Sequence, residues 1–314
     1  MATDTCTLFQ SLVRQVEENR RVAFCVVIDT AGSAPQVPGA SMVLRLDGTI
    51  EGTLGGGCVE AEVRRRALEL LHRDQAGLLT FDLDHDYGWD DGLICGGNMT
   101  VAVQPIRTPA DAQPFADAAE TLSRCEPATI PLRVSHEGRT QDYRLHIEAP
   151  AKLLIAGAGH VGAEIARLAV GLDFDVTIVD DREEFASPRH LPPPIRPIVG
   201  DIEQTLRKQP IDAGTYVVIV TRGHKHDEQA LRAVIDRPAR YIGMIGSRRK
   251  VAIIMDDLAA AGVPRDRLAE VHSPIGLPIG SVTVPEIAIS IAAQLVEVRR
   301  KSGKPTRVEK VNVF

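Results

Sequence analysis

Gly157-Ala158-Gly159-His160-Val161-Gly162 follows an apolar run directly and opens a helical pattern, and an acid, Asp180, stands eighteen residues beyond its last glycine. Glycines at that spacing permit a tight turn and a close approach of backbone to a phosphate, while the helix N-terminus behind them offers free N–H donors and partial positive charge. Asp180 is placed to accept a hydrogen bond from a ribose hydroxyl, and His160 is a candidate ligand contact or proton donor. The plain alternative is a turn that only packs helix against strand. Strand, helix and acid in register favour the phosphate reading.

A second segment, 241–250, has the same character: Gly243 and Gly246 end an apolar run, and Ser247 can cap a helix. Arg248, Arg249 and Lys250 then fall in the first turn, where cations oppose the helix dipole, a conflict that a bound anion would remove. A solvated basic turn is the competing account. Between the two segments, His224 and His226 read as part of a loop at the carboxyl edge of the sheet. They could ligate a metal but lack an evident third ligand, and the loop could equally cap the following helix through Asp227.

The first half of the chain carries three glycine loops, at 32–39, 52–58 and 93–97. Side-chain-free backbone costs conformational entropy to order, so this concentration suggests a surface that admits a flat or phosphorylated ligand closely. Gly56, Gly57 and Cys58 form one candidate set, and Cys95, Gly96 and Gly97 another. Cys58 stands where a glycine run meets a helix N-terminus, a position that favours thiolate. Two such thiols could contact a soft metal or carry sulfur, although they make an incomplete zinc site, and each could instead be a small buried hydrophobe. Cys6, Cys25 and Cys125 have only that last reading.

These loops need elements to hold them. Leu8, Phe9, Leu12, Val13 and Val16 recur at helical spacing and predict an amphipathic opening helix. Short strands at 21–29, 42–46, 78–83, 99–106, 128–134 and 143–147, with helices at 58–73 and 111–124, predict an α+β domain of mostly antiparallel strands over residues 1–148. After Glu148-Ala149-Pro150 the pattern becomes strict alternation of apolar strand and helix, with strands at 152–156, 175–179, 195–199, 216–220 and 241–245. That predicts a Rossmann-type, doubly wound parallel sheet over residues 151–302, an α/β fold class for the chain, with Pro192, Pro193 and Pro194 leaving the second crossover short of helix. Residues 284–300 read as a long closing helix.

Composition narrows the partners. A net charge of -6 with no run of five or more basic residues argues against nucleic acid, and no apolar run reaches the roughly 20 residues needed to cross a bilayer. Without a secretory pattern, five cysteines are expected to stay reduced in the cytoplasm.

Taken together the segments resemble the XdhC/CoxI family, the accessory factors of xanthine dehydrogenase and carbon monoxide dehydrogenase. The resemblance rests on GSAPQVPGASMV, GTIEGTLGGGCVEAEV and CGGNMTV in the first half, and on LLIAGAGHVG, VTIVDDREEFA, IGMIGSRRK, SPIGLPIG and VPEIAISIAAQ in the second. It implies a protein that binds the molybdenum cofactor, as molybdopterin or its cytidine dinucleotide, keeps it available for sulfuration by a cysteine desulfurase, and inserts it into an apo molybdenum hydroxylase with a xanthine dehydrogenase-like large subunit. It further implies a homodimer and an accessory protein in place of an enzyme. Cys58 and Cys95 match the family's cysteines and would contact molybdenum or its sulfur, while Gly157, Gly159 and Gly162 match its Rossmann loop and Glu286 its closing acid. The acidic loop 85–91 departs from the pattern. Two other functions fit the fingerprint: an NAD(P)-dependent oxidoreductase, and a regulatory module that senses a nucleotide.

Overall fold

A computed structural model describes residues 5–83, 97–136, 139–302 and 306–311. The chain divides into two compact units, Met1–Ala149 with Lys304–Phe314, and Pro150–Gly303.

In the first unit α1 (Thr5–Glu17) leads into β1 (Val22–Ala31), β2 (Ser41–Arg45) and β3 (Ile50–Gly52), then α2 (Gly57–His72), β4 (Gly77–Asp82), β5 (Asn98–Ile106), α3 (Pro109–Ser123), and the pair β6 (Ala128–His136) and β7 (Arg139–Ile147). Five strands form an antiparallel sheet in the order β3-β2-β1-β5-β4. Strand β1 lies at its centre with helices on both faces, which is why its apolar run is unbroken where a one-sided strand would alternate. On one face Phe24 meets Phe9 of α1 and Phe115 of α3 edge to face, with centroids 4.8 to 5.9 Å apart. On the other, Ala23, Cys25 and Val27 pack with Val59, Val63, Ala67 and Leu71 of α2. Helix α3 starts on a capping box, Thr108 with Asp111, and has Pro109 at its first position.

Cys25 behaves as the small hydrophobe expected of it: it is wholly buried, and burial pushes its thiol up to about 12. We therefore expect Cys25→Ala to leave the number of thiols titrated by a disulfide reagent in the folded protein unchanged, and to lower the number in denaturant by one. Loss of a thiol from the folded count would show that Cys25 is reachable.

The second unit runs β8 (Ala151–Ala156), α4 (His160–Val170), β9 (Phe174–Asp180), β10 (Arg196–Val199), α5 (Ile202–Lys208), β11 (Thr215–Ile219), α6 (His224–Val234), β12 (Tyr241–Met244), α7 (Arg248–Ala260), α8 (Arg265–Ala269) and α9 (Val284–Ser302). All five strands are parallel, in the order β10-β9-β8-β11-β12. This is the doubly wound sheet that strand and helix alternation predicts. Helices α4 and α9 contribute to the core on one face, and α5, α6 and α7 to that on the other. Residues 181–195, between β9 and β10, form turns and no helix, consistent with three consecutive prolines.

A last strand, β13 (Arg307–Val311), pairs antiparallel with β7 and completes a three-stranded sheet of order β13-β7-β6. Neither β13 nor the three-residue β3 was expected from sequence.

Candidate functional site

The fingerprint loop joins β8 to α4, and its three glycines have three different reasons to be glycine. Gly157 has φ +106°, and a Cβ there would lie 2.5 Å from the Val220 carbonyl oxygen, so both backbone conformation and the neighbouring strand exclude a side chain. A Cβ on Gly162 would lie 1.9 Å from the Gly157 carbonyl oxygen, which is the close packing of helix on loop. Gly159 caps α4 with φ −64°, and a Cβ there would meet nothing within 4 Å. Protein packing therefore explains the first and third glycines and leaves the second with an open face at the helix N-terminus, the place where a phosphate binds in such loops. His160, the first helical residue, is exposed.

Asp180 ends β9 with only 2% of its surface exposed. Its Oδ2 accepts from Ala158 N at 2.7 Å and Arg182 Nη2 at 2.9 Å, and its Oδ1 from Arg182 N at 3.0 Å and Arg182 Nε at 2.8 Å. Burial works to raise its pKa, but the Arg182 guanidinium and the two backbone N–H groups outweigh it and hold the carboxyl below the usual carboxylate range. Beside it, Arg222 Nη2 donates to Asp181 Oδ2 at 2.7 Å. Because β8 lies between β9 and β11 in the sheet, this ion pair joins the loops on either side of the fingerprint.

At the end of β12, Ser247 caps α7 by accepting from Lys250 N. Arg248 and Arg249 are exposed, as a solvated turn or an anion site would both have them. Lys250 departs from the three-cation reading: it turns inward and pairs with Asp227, which is wholly buried and whose other oxygen accepts from Thr221 N at 3.1 Å and Thr221 Oγ1 at 2.5 Å. His224 and His226 lie in the first turn of α6 and not in a loop, and Asp227 binds back to Thr221 without capping that helix. Glu286 accepts from the backbone N–H groups of Val282 and Thr283, both at 2.8 Å, so its geometry is that of a helix cap.

In the first unit, Gly55, Gly56 and Gly57 all have φ between +67° and +111°, and Cβ atoms on Gly56 and Gly57 would meet nothing within 4 Å. The loop is shaped by a residue that sequence reasoning passed over: Glu60 Oε2 accepts from Thr53 Oγ1 at 2.6 Å, Leu54 N at 2.9 Å and Gly56 N at 3.4 Å. A glutamate in the first turn after a glycine run is the signal that could have found it. Cys58 is half-buried in the first turn of α2. Gly97 sits where a Cβ would lie 2.4 Å from the Ala31 carbonyl oxygen, so close backbone packing explains its type. Cys95 and Gly96, with the acidic loop 85–91, lie outside the described residues. Among the described residues no cluster of three or more His, Cys, Asp or Glu could hold a metal ion. None of the helices described is long and apolar enough to cross a membrane.

Comparison with known proteins adds the family. The model of the XdhC Rossmann domain matches residues 153–295, and that of the XdhC and CoxI family matches residues 15–82. YqeB of Escherichia coli K12 is 28% identical over 94% of this chain, which spans 47% of that relative's length. A Bacillus subtilis 168 protein named as a probable xanthine dehydrogenase subunit is 23% identical over 91% of this chain and 96% of its own. The molybdenum cofactor insertion chaperone PaoD of Escherichia coli K12 is 22% identical over 95% of this chain and 90% of its own. The crystal structure of a xanthine dehydrogenase from Bacillus halodurans has the same fold, with a TM-score of 0.83 over 97% of each chain at 22% identity. With family models matching in both of its units, the chain belongs to the XdhC and CoxI family.

Proposed function

We propose that this protein is a cytoplasmic accessory chaperone that binds the molybdenum cofactor, as molybdopterin or its cytidine dinucleotide, holds it for sulfuration by a cysteine desulfurase, and inserts it into an apo molybdenum hydroxylase of the xanthine dehydrogenase type. The observation that carries this reading is the likeness, over 95% of the chain, to a relative named as a molybdenum cofactor insertion chaperone. The local chemistry supports it. The cofactor is cargo here, and brings a flat pterin, a phosphate or pyrophosphate tail and a metal dithiolene.

In the second unit, the open face of Gly159 and the free N–H groups of α4 suit a phosphate. In the first unit, taken by itself, the open faces of Gly56 and Gly57 leave room for a flat group beside the half-buried Cys58, whose sulfur is a soft donor suited to molybdenum or to its sulfur. Cys95, Gly96 and Gly97 belong to the proposed set from their place in the CGG motif. Glu60 acts as a positioning residue, since it holds the loop that carries Gly56. Arg248 and Arg249 remain candidates for anionic groups, and a homodimer remains the proposed assembly.

The test is molybdenum and pterin analysis of protein purified anaerobically from a host that makes the cofactor, comparing the unaltered chain with Cys58→Ser and Cys95→Ser. We expect near-stoichiometric pterin and molybdenum with the unaltered chain, and at least about a tenfold loss with either substitution if the thiolate bonds the metal end. Co-purification of a nicotinamide or adenine nucleotide with no pterin would overturn the carrier reading.

A further inference from the structure

Resting on the reading that the Rossmann loop seats a phosphorylated ligand, we propose that Arg182 sets which ligands that loop accepts: it saturates Asp180, so the site takes phosphorylated molecules that place no ribose diol at the end of β9, and rejects dinucleotides of the NAD type. In a dinucleotide-binding unit the acid at the end of the second strand accepts from ribose hydroxyls. A carboxylate offers about four acceptor directions, two on each oxygen. Here Ala158 N, Arg182 N, Arg182 Nε and Arg182 Nη2 fill them at 2.7 to 3.0 Å. The acid that makes the fingerprint look like an NAD site therefore has no acceptor left for a diol.

The arginine is held as well as placed. Its guanidinium carbon lies 3.9 Å from the centroid of the Phe185 ring, so one face is stacked while an edge clamps the carboxylate. Arg182 Nη2 and Ala158 N bind the same oxygen of Asp180, which puts the guanidinium directly beside the fingerprint loop. A ligand arriving at this corner meets a fixed cation where an NAD site would present a fixed anion. Swinging the side chain away would break two charge-assisted bonds and the ring contact together.

The distinguishing measurement is diol recognition. Dissociation constants for NAD+ and for its analogue lacking the adenosine 2′-hydroxyl are compared on the full chain, unaltered and as Arg182→Met, which keeps an apolar stem over Phe185 and has no donor. The unaltered protein should bind both ligands only weakly and within about threefold of each other, and Arg182→Met should tighten NAD+ alone by about tenfold or more, as expected for one hydrogen bond to a charged acceptor. A preference for NAD+ of tenfold or more in the unaltered protein would overturn the proposal without any variant. So would a folded Arg182→Met, judged by its melting curve, in which NAD+ fails to tighten or both ligands tighten equally. Pterin and molybdenum content of the same preparations reports separately on the carrier reading: its loss with diol-blind binding intact would remove the chaperone role and leave the role of Arg182 standing.

Discussion

Replacing Gly162 by Ala is expected to lower the melting temperature of the protein by about 10 °C, from a clash costing about 3 kcal/mol or more. Replacing Gly159, only three positions earlier, should leave melting within about 3 °C and instead cut retained molybdenum and pterin at least about fivefold. The contrast comes from where each Cβ would go. At Gly162 it would lie 1.9 Å from the Gly157 carbonyl oxygen and 3.3 Å from Val220 Cγ2, so loop and helix must part, and no rotamer relieves a backbone overlap. At Gly159 the backbone conformation suits alanine and the space is empty, so only a ligand would feel the methyl group. Thermal melting and cofactor content of the two variants check both halves. If Gly159→Ala retains full cofactor, the open face is not where the phosphate sits. If Gly162→Ala melts normally, the loop is looser than the 1.9 Å approach implies.

The parts of this molecule legible in its sequence are those set by local rules. Strand, glycine turn and helix at 152–170 announce themselves because an unbroken apolar run gives way to a helical period across a Gly-x-Gly, and Ser247 before a helical run reads as the cap it is. Side-chain direction is a different matter. Nothing in the order Asp180-Asp181-Arg182 says that the arginine folds back on the first acid and leaves the second to Arg222, because that choice depends on the loop's turn and on Phe185. Lys250 looks like the third member of a basic turn, yet its stem reaches a buried acid on another helix. His224 and His226 read as loop residues because their segment follows a strand, whereas Gly223, with φ +100°, is the cap from which α6 starts. Strand β13 escapes notice for a third reason: its partner β7 lies some 160 residues away, and a five-residue strand with mostly exposed side chains carries no core pattern of its own.

Lys250→Met should destabilise the second unit by about 2–3 kcal/mol and lower its melting temperature by about 5–10 °C, while Asp227→Asn should cost clearly less. The asymmetry follows from burial. Asp227 is wholly buried, whereas the Lys250 side chain keeps 26% of its surface exposed. Removing the lysine strands a charge that water cannot reach, held among the described residues by the two Thr221 donors. Removing the acid's charge leaves an amide oxygen that still accepts from Thr221, and an ammonium that water can solvate. The double variant should therefore melt close to Asp227→Asn alone, since the lysine has nothing to neutralise once the acid is an amide. What the pair holds is the wall of the fingerprint: Thr221 Cα would be 3.0 Å from a Cβ on Gly157, and Asp227 fixes the Thr221 backbone while Lys250 ties it to the first turn of α7. Cofactor retention should consequently fall in Lys250→Met at temperatures where the variant is still folded. Equal and negligible melting shifts in both single variants would mean that the pair is solvated and positions nothing.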